Sequence, residues 1–314
     1  HEVIEPNITA MRLQTDYTYD GYGNKLSVTV SGAGITTRTT SSIYDSRGQF
    51  PQTTTNALSQ SDNGAYDARF GKATSLTGPN ALTTTWSYDG FGRKVNETRA
   101  DATQTNVAYN LCDATCPSFA KYYVATTTAG TPISYAYFDM LNREIRVQVQ
   151  GFDGRLVTKD TYYDSFGRVD RVTKPYYSGD SPLYSYLHYD ALGRATQETA
   201  PDNSTKQIAY NGLTTTVTNA LNQTETKTKN SQGQLVSVSD NLGNVITYQY
   251  DPFGNLTKTT DPKGNQTTLT YDARGRKIGM VDPDMGAWTY TYNVLGELIQ
   301  QKDAKLQIVN MTYD

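Results

Sequence analysis

The chain has 314 residues, of which 36% are apolar and 19% are charged, with a formal net charge of −3 and a mean hydropathy of −0.61. So low an apolar fraction is unusual for a solid globule and favours a single-layer sheet with wetted faces, or a shell around a watery interior. The charges are interspersed without a basic stripe, so nucleic acid is not expected as a partner. No run of about 18 apolar residues is present, so no membrane-spanning helix is predicted.

A short motif of tyrosine, aspartate and, three residues later, glycine recurs along the whole chain. Its clearest copies are Tyr19, Asp20 and Gly23; Tyr44, Asp45 and Gly48; Tyr88, Asp89 and Gly92; Tyr163, Asp164 and Gly167; Tyr189, Asp190 and Gly193; Tyr250, Asp251 and Gly254; and Tyr271, Asp272 and Gly275. Toward the end the period is regular, because Asn230, Asp251, Asp272, Asn293 and Asp314 are each 21 residues apart. Such repetition predicts an array in which each unit needs its neighbours to bury its apolar face.

The chemistry of the motif predicts a turn. An aspartate side chain can accept hydrogen bonds from backbone N–H groups two residues further on, which starts a turn. The glycine suits a positive φ that other residues adopt only at a cost. After Asp139 the glycine is replaced by Asn142, the residue type that next best tolerates this conformation. We therefore predict a tight turn at each copy.

The residues before each turn alternate in character and predict strands. Tyr248 and Tyr250 flank Gln249, and Tyr290 and Tyr292 flank Thr291, which is the period-2 pattern of a half-buried strand. A second turn, such as the one at 261–265, falls between successive motifs. One repeat is therefore two strands and two turns.

The predicted fold class is all-β. Tandem hairpins form a long antiparallel sheet, which curls or spirals into a hollow shell because wide twisted sheets do not stay flat. We expect a single array over residues 1–314, as part of a longer protein.

The spacing between successive motifs is longer than 21 residues at several places, most clearly at the irregular insertion 111–138. This insertion contains Cys112 and Cys116, for which a local disulfide and two free thiols are both open readings. Metal binding is not expected, since a zinc site needs about four ligands and the histidines are His1 and His188. A longer loop at 174–182 carries proline and glycine near its ends, and both a contact loop and a bulge without function on the outside of a shell are open readings.

Three sets of side chains are candidate functional residues. His188 lies on the polar side of a strand, where a solvated histidine is expected rather than a catalytic one. The tyrosine stripe formed by residues such as Tyr248 and Tyr290 is expected to stabilise neighbouring strands, with a sugar-binding platform as the alternative. The arginines that follow the turn glycines are expected to pair with aspartates of neighbouring turns: Arg93, Arg143, Arg168, Arg194 and Arg276.

These residues carry a family resemblance. The segments Tyr88-Asp89-Gly90-Phe91-Gly92-Arg93, Tyr163-Asp164-Ser165-Phe166-Gly167-Arg168 and Tyr189-Asp190-Ala191-Leu192-Gly193-Arg194 resemble the repeats of the Rhs/YD-repeat family. That family includes bacterial Rhs polymorphic toxins, the B–C components of insecticidal Tc toxin complexes, wall-associated repeat proteins and teneurins. The resemblance implies a β-sheet strip that spirals into a hollow cocoon, which in the toxin members encloses a C-terminal effector.

The function predicted from the sequence is that of a non-catalytic structural shell of a secreted or cell-surface bacterial protein. Its expected partner is a C-terminal effector polypeptide of the same protein, and no cofactor is expected. The alternative is an extracellular fibre or adhesin built of the same repeats, which contacts glycans. An enzyme acting on polysaccharide is disfavoured, because the carboxylates recur with the turns instead of forming a separate cluster.

Overall fold

The computed structural model describes residues 1–313, so Asp314 lies outside the described residues. This part of the chain folds into 29 β-strands and contains no helix, which confirms the predicted all-β fold of tandem hairpins. Strands that follow one another in the sequence pair antiparallel, for example β1 (Glu2–Ile4) with β2 (Leu13–Tyr19) and β2 with β3 (Lys25–Gly32). Within the same residues there is no helix of the length and apolarity that crossing a membrane requires.

The strands belong to two compact units. The first comprises residues 1–41, 56–58 and 206–314, and the second comprises residues 42–55 and 59–205. The first unit contains β1 (Glu2–Ile4), β2 (Leu13–Tyr19), β3 (Lys25–Gly32), most of β4 (Arg38–Tyr44) and of β19 (Thr205–Asn211), then β20 (Thr214–Thr218), β21 (Thr224–Lys229), β22 (Leu235–Ser239), β23 (Val245–Tyr250), β24 (Leu256–Thr260), β25 (Gln266–Tyr271), β26 (Lys277–Asp282), β27 (Gly286–Tyr292), β28 (Leu298–Lys302) and β29 (Ile308–Asn310).

The second unit contains β5 (Pro51–Thr55), β6 (Ser61–Asp67), β7 (Lys72–Thr77), β8 (Thr83–Tyr88), β9 (Lys94–Thr98), β10 (Gln104–Leu111), β11 (Tyr122–Thr128), β12 (Ser134–Phe138), β13 (Glu144–Gln150), β14 (Leu156–Tyr163), β15 (Val169–Thr173), β16 (Tyr176–Tyr177), β17 (Tyr184–Tyr189) and β18 (Ala195–Thr199). Strand β14 is a branch point. Its first half pairs with the short β16, and its second half pairs with β15.

The register gives the strands two unlike faces. In β25 and β27 of the first unit, Thr268, Thr270 and Thr289 are exposed on one face, while Leu269 and Tyr290 are half-buried on the other. We call the first the hydroxyl face and the second the aromatic face. A bulge interrupts the register immediately before most motif tyrosines, for example between Gln249 and Tyr250, and it tightens the local twist at the turn.

The apolar core is small. Among residues 1–313, the buried apolar side chains are Leu13 and Val294, both in the first unit. This matches the low apolar content of the sequence, because a single-layer sheet has few fully enclosed positions. Stability must therefore depend largely on the hydrogen bonds of the ladders and turns.

Within the first unit, the first hairpins contact the turn between β27 and β28. Val294 in that turn is 2% exposed, and a Cβ added at Gly32 would lie 2.6 Å from its Cγ2 atom. Beside this contact, Arg38 donates two hydrogen bonds to the Glu297 carboxylate, at 2.8 and 3.3 Å. A glycine at position 32 therefore permits the close approach.

Candidate functional site: the linked Tyr-Asp turns

Each Tyr-Asp turn is organised around one carboxylate. In the turn at Asp89, Oδ1 accepts from the backbone N–H groups of Phe91 and Arg93, both at 2.9 Å. The N–H of Gly92 donates to the Asp89 carbonyl at 3.0 Å, and the Asp89 N–H donates to the Arg93 carbonyl at 2.9 Å. The same pattern recurs at Asp20, Asp164, Asp190, Asp251 and Asp272. At Asp45 the turn is one residue longer, because its N–H pairs with the Phe50 carbonyl.

The conformation explains the turn glycines. Gly23, Gly48, Gly92, Gly167, Gly193, Gly254 and Gly275 have φ between 65° and 92°. Asn142, which takes the place of the glycine after Asp139, has φ of 62°. This is the left-handed region, where a side chain is disfavoured and asparagine is tolerated best after glycine.

The turns between the motifs use the same chemistry. Asp240 Oδ1 accepts from the N–H groups of Leu242 and Asn244, both at 2.9 Å, and the Asn244 amide donates to Oδ2 at 2.7 Å. Asp261 and its partner Asn265 repeat this arrangement. In these repeats both ends of the hairpins are therefore closed by carboxylate-centred turns, a likeness that the sequence analysis did not predict.

The turn carboxylates are held ionised. Hydrogen bonding from the Asn255 side chain lowers the pKa of Asp251 below its usual value, against the opposing effect of burial. The backbone N–H of Arg194 lowers the pKa of Asp190 in the same way, with the guanidinium contributing further. Hydrogen bonds to the charged form favour that form. A general acid would need the opposite shift, so these carboxylates are turn anchors.

The predicted pairing of the arginines with neighbouring turns is wrong. Each arginine pairs with the aspartate of its own turn: Nε of Arg168 lies 2.8 Å from Oδ2 of Asp164, and Arg93, Arg143, Arg194 and Arg276 do the same. The reason is geometric, because the turn folds the fourth residue after the aspartate back onto the carboxylate.

The arginine reaches the next repeat through its guanidinium plane. Arg93 lies over the ring of Tyr109 at 4.1 Å, and Arg168 lies over Tyr189 at 4.5 Å. Arg143 over Tyr163 and Arg276 over Tyr292 complete the series. A guanidinium over a tyrosine face is attracted by the ring quadrupole. Each such contact therefore connects one turn to the strand that leads into the following turn.

The motif tyrosines provide a second link between repeats. Tyr250 donates its hydroxyl to the Leu235 carbonyl at 2.9 Å, and Tyr271 donates to the Leu256 carbonyl at 2.8 Å. The same hydrogen bond, to a carbonyl 15 residues earlier, is made by Tyr88, Tyr292 and Tyr313, and Tyr163 and Tyr189 make its equivalent across the longer repeats. Tyr19 has no such bond among the described contacts and lies beside Tyr17, while Tyr44 ends β4.

The other candidate residues are His188 and the two cysteines. His188, the residue before the motif Tyr189, is exposed on β17. Cys112 and Cys116 form a disulfide with Cα atoms 5.7 Å apart, in the loop that joins β10 to β11. Residues 122–138 of the irregular insertion form the regular strands β11 and β12, so the irregularity is confined to this loop. No group of metal-binding side chains occurs within residues 1–313.

A buried polar cluster, which the sequence did not predict, lies at the branch of β14. Asp160 is 4% exposed, and it accepts two hydrogen bonds from Arg146 at 2.5 and 2.9 Å and one from the Tyr176 hydroxyl at 2.6 Å. Tyr176 belongs to the loop at 174–182. Burial, together with this hydrogen bond to Asp160, raises the pKa of Tyr176 to about 12. The loop that contains Tyr176 is therefore held against the sheet by this hydrogen bond and by the pairing of β16 with β14.

The comparisons with known proteins agree with this geometry. The family described as RHS Repeat matches residues 66–104, 230–266 and 254–284. No curated protein matches the sequence. The fold is similar to the crystal structure of TcdB2-TccC3, with a TM-score of 0.78 and 15% identity over 96% of this chain and 20% of that chain. It is equally similar, at 0.78 and 13% identity, to TcdB2-TccC3 without the hypervariable C-terminal region, over 96% of this chain and 22% of that chain.

The chain is thus an all-β array of hairpins, joined by carboxylate-centred turns and tyrosine links. The family model confirms RHS repeats in the segments it matches, as the Tyr-Asp motifs predicted, and the fold over 96% of the chain is similar to that of TcdB2-TccC3. The chain spans about a fifth of the length of the solved chains that share its fold.

Proposed function

We propose that this chain is part of the wall of a non-catalytic shell, which in the complete protein encloses a polypeptide located C-terminal to the repeats. The observation that carries the proposal is the link between successive repeats. Most motif tyrosines donate a hydrogen bond to the preceding repeat, and most turn arginines also stack on the next one. A strip joined in this way resists bending between repeats, which a wall around a cargo requires.

The likeness to TcdB2-TccC3 supports the same proposal at the level of the fold. One of those structures lacks a hypervariable C-terminal region, and a variable C-terminal segment is what a shell with exchangeable cargo would carry. The mechanism is steric, because the wall keeps the enclosed polypeptide from folding, acting or being degraded. We propose a secreted or cell-surface bacterial protein of the toxin type.

The alternative of a glycan-binding fibre is less well supported. A sugar platform needs tyrosine rings and hydroxyls that are free. Tyr250 and Tyr292 donate their hydroxyls to backbone carbonyls, and the half-buried ring of Tyr290 is packed between Trp288 and Lys277. These tyrosines therefore serve the structure of the strip.

Limited proteolysis of the complete protein tests the proposal. The segment C-terminal to the repeats should resist protease while the repeats are folded, and it should be cut as soon as denaturant opens them. The same segment produced alone is the control and should be cut at once. Equal rates of cleavage with and without folded repeats would exclude enclosure.

A further inference from the structure

In the second unit we give the name hydroxyl face to the face that carries the residue before each motif tyrosine, such as Ser87 before Tyr88, which is the position of Thr270 in the first unit. This face changes character between β11 and β17. From β5 to β10 this face carries small polar residues, such as Ser75, Thr85 and Asn106, which are related by the strand register. From β11 onward, tyrosines and arginines take several of the equivalent positions, beside polar residues such as Gln148, Thr158 and Asp160. We call the following six residues the Tyr-Arg patch: Tyr135, Tyr137, Tyr162, Arg171, Tyr184 and Tyr186.

The strand register places these residues on one face. Tyr137 is opposite Arg146, Arg146 is opposite Asp160, and Tyr162 is opposite Arg171. Arg171 is in turn opposite Tyr186 on β17. The strands from β11 to β17 that carry this face span about 24 Å, because neighbouring strands lie about 4.8 Å apart.

The repeat does not require these tyrosines. A motif tyrosine such as Tyr163 donates its hydroxyl to a backbone carbonyl, and its position before the aspartate recurs in each copy. Tyr162, in contrast, occupies the position that holds Thr270 and Thr291 in other repeats. Five tyrosines at threonine-type positions on one face therefore need a reason other than the stability of the repeat.

The aromatic rings are packed together yet remain accessible. Tyr184 lies 6.1 Å from both Tyr162 and Tyr186, between ring centroids. Arg171 covers Tyr162 at 4.4 Å and Tyr184 at 5.6 Å. Tyr186 is 39% exposed, and the Arg171 side chain is 38% exposed. The side chains are thus pre-ordered and can still contact a partner.

The polar groups beneath the patch are already satisfied by one another. Asp160 is paired with Arg146 and Tyr176, and Gln148 donates to the Thr158 hydroxyl at 3.0 Å. A sugar would need such groups free to hydrogen-bond its hydroxyls. The patch instead offers the surface of its tyrosine rings and the positive charge of Arg171. Arg171 forms one ion pair, a single 3.4 Å contact with Asp170 at the surface, so its guanidinium has further donors for a carboxylate of a partner.

We propose that the Tyr-Arg patch is a binding surface for an extended polypeptide that carries carboxylates beside apolar side chains. Tyrosine and arginine are enriched at protein interfaces, whereas lysine and glutamate are depleted there. Neither lysine nor glutamate occurs on this face of β11–β15 and β17 in the described part of the chain. Ordered tyrosines bind at a low cost in conformational entropy, and Arg171 supplies the charge complementary to a carboxylate.

The test is fluorescence anisotropy with a labelled peptide of about eight residues, Asp-Leu-Phe-Asp repeated, which spans roughly 26 Å when extended. The chain should bind it, and the double variant Tyr184→Thr/Tyr186→Thr and the single variant Arg171→Gln should each weaken binding by about tenfold. Threonine restores the residue type that other repeats carry at these positions, so folding should persist. Tyr290→Thr, a tyrosine-to-threonine change on the aromatic face of the first unit, is the control for a general effect of losing a tyrosine and should bind as the unaltered chain does.

Three outcomes overturn the proposal: no binding of the acidic peptide up to about 1 mM, equal loss in the Tyr290→Thr control, or binding of neutral and acidic oligosaccharides with none of the peptide. If the same peptide with lysine in place of aspartate binds with equal affinity, Arg171 does not recognise the carboxylates of the partner, and that part of the proposal is overturned. Peptide binding to the Tyr-Arg patch does not require that the repeats enclose a cargo. The binding test and the proteolysis test can therefore fail independently of each other.

Discussion

The turn carboxylate and the residue four positions after it determine the chemistry of the repeat. Arginine at this position, as in Arg168, pairs with the carboxylate and also stacks on the next repeat. Asparagine, as in Asn255, only closes its own turn, through an amide hydrogen bond of 2.8 Å. The tyrosine hydrogen bond is the link that both kinds of repeat can share, because it depends only on the spacing of the strands.

Removing one such link should weaken the strip measurably. Tyr250→Phe deletes the hydroxyl that donates to the Leu235 carbonyl, and we expect a loss of about 0.5–1.5 kcal/mol in the free energy of unfolding. Tyr248→Phe is the matched control, since the Tyr248 hydroxyl has no hydrogen bond to the described residues. Denaturant unfolding measures both, and equal effects would show that the link carries no stability.

Tyr176 should ionise far above the ordinary range for tyrosine. Its pKa of about 12 lies above the unfolded value of about 10, so the folded state binds this proton more tightly. The stabilisation is fully present below about pH 10 and is lost as the pH rises through 12. Ultraviolet titration of the chain and of Tyr176→Phe should differ by one late-ionising tyrosine. A difference near pH 10 would contradict the hydrogen bond to Asp160.

At the scale of elements, the irregular insertions are changes in turns and strand lengths rather than interruptions of the sheet. The insertion 111–138 contributes two ordinary strands and one long, disulfide-closed loop. The segment between Asp164 and Asp190 adds β16, which pairs with half of β14. The buried Asp160 cluster satisfies the polar groups at that branch, where the regular ladder cannot continue.

The Asp160 cluster should be the most sensitive charged site of the second unit. Asp160→Ala leaves the half-buried Arg146 and the Tyr176 hydroxyl without their acceptor, and we expect a loss of about 1.5–3 kcal/mol in the free energy of unfolding. Asp153→Ala breaks the pair with Arg155, whose side chains are 46% and 56% exposed, and should cost at most about 1 kcal/mol. Thermal unfolding of the two variants compares them directly. Similar losses would mean that the branch of β14 does not depend on the cluster.

For the molecule as a whole, the turn carboxylates together make the stability of the fold depend on pH. Their folded pKa values are depressed, for Asp251 mainly by the Asn255 amide and for Asp190 mainly by a backbone N–H. Such groups stabilise the fold above the unfolded pKa of about 3.9, and the contribution is lost as the pH falls through the folded values. We therefore expect the melting temperature to fall steeply below about pH 4.

Replacing Asp251 with asparagine provides the control for this acid sensitivity. Asparagine already anchors the turn at Asn293, where its Oδ1 accepts from Leu295 at 3.0 Å, so the turn should persist. The variant should show a shallower decline in melting temperature between pH 5 and pH 3 than the unaltered chain. An unchanged decline would assign the acid sensitivity to other groups.

The periodic features were accessible from the sequence because each is a local pattern repeated many times. Strand alternation, the turn at Asp89 and the positive φ at Gly92 all follow from residues within one repeat. The partner of Arg93 was mispredicted, because spacing alone does not show which way a side chain folds back. The Asp160 cluster and the Tyr-Arg patch could not be derived, since both depend on the register between strands of unequal length.

Cryo-electron microscopy of the complete protein tests whether these repeats form the wall of an enclosing shell. We expect a closed wall of hairpins with the tyrosine links between successive repeats, surrounding density for a polypeptide that is not part of the wall. An open ribbon, or a filament of associated strips with no interior, would contradict it and assign the repeats to a structural role at the cell exterior.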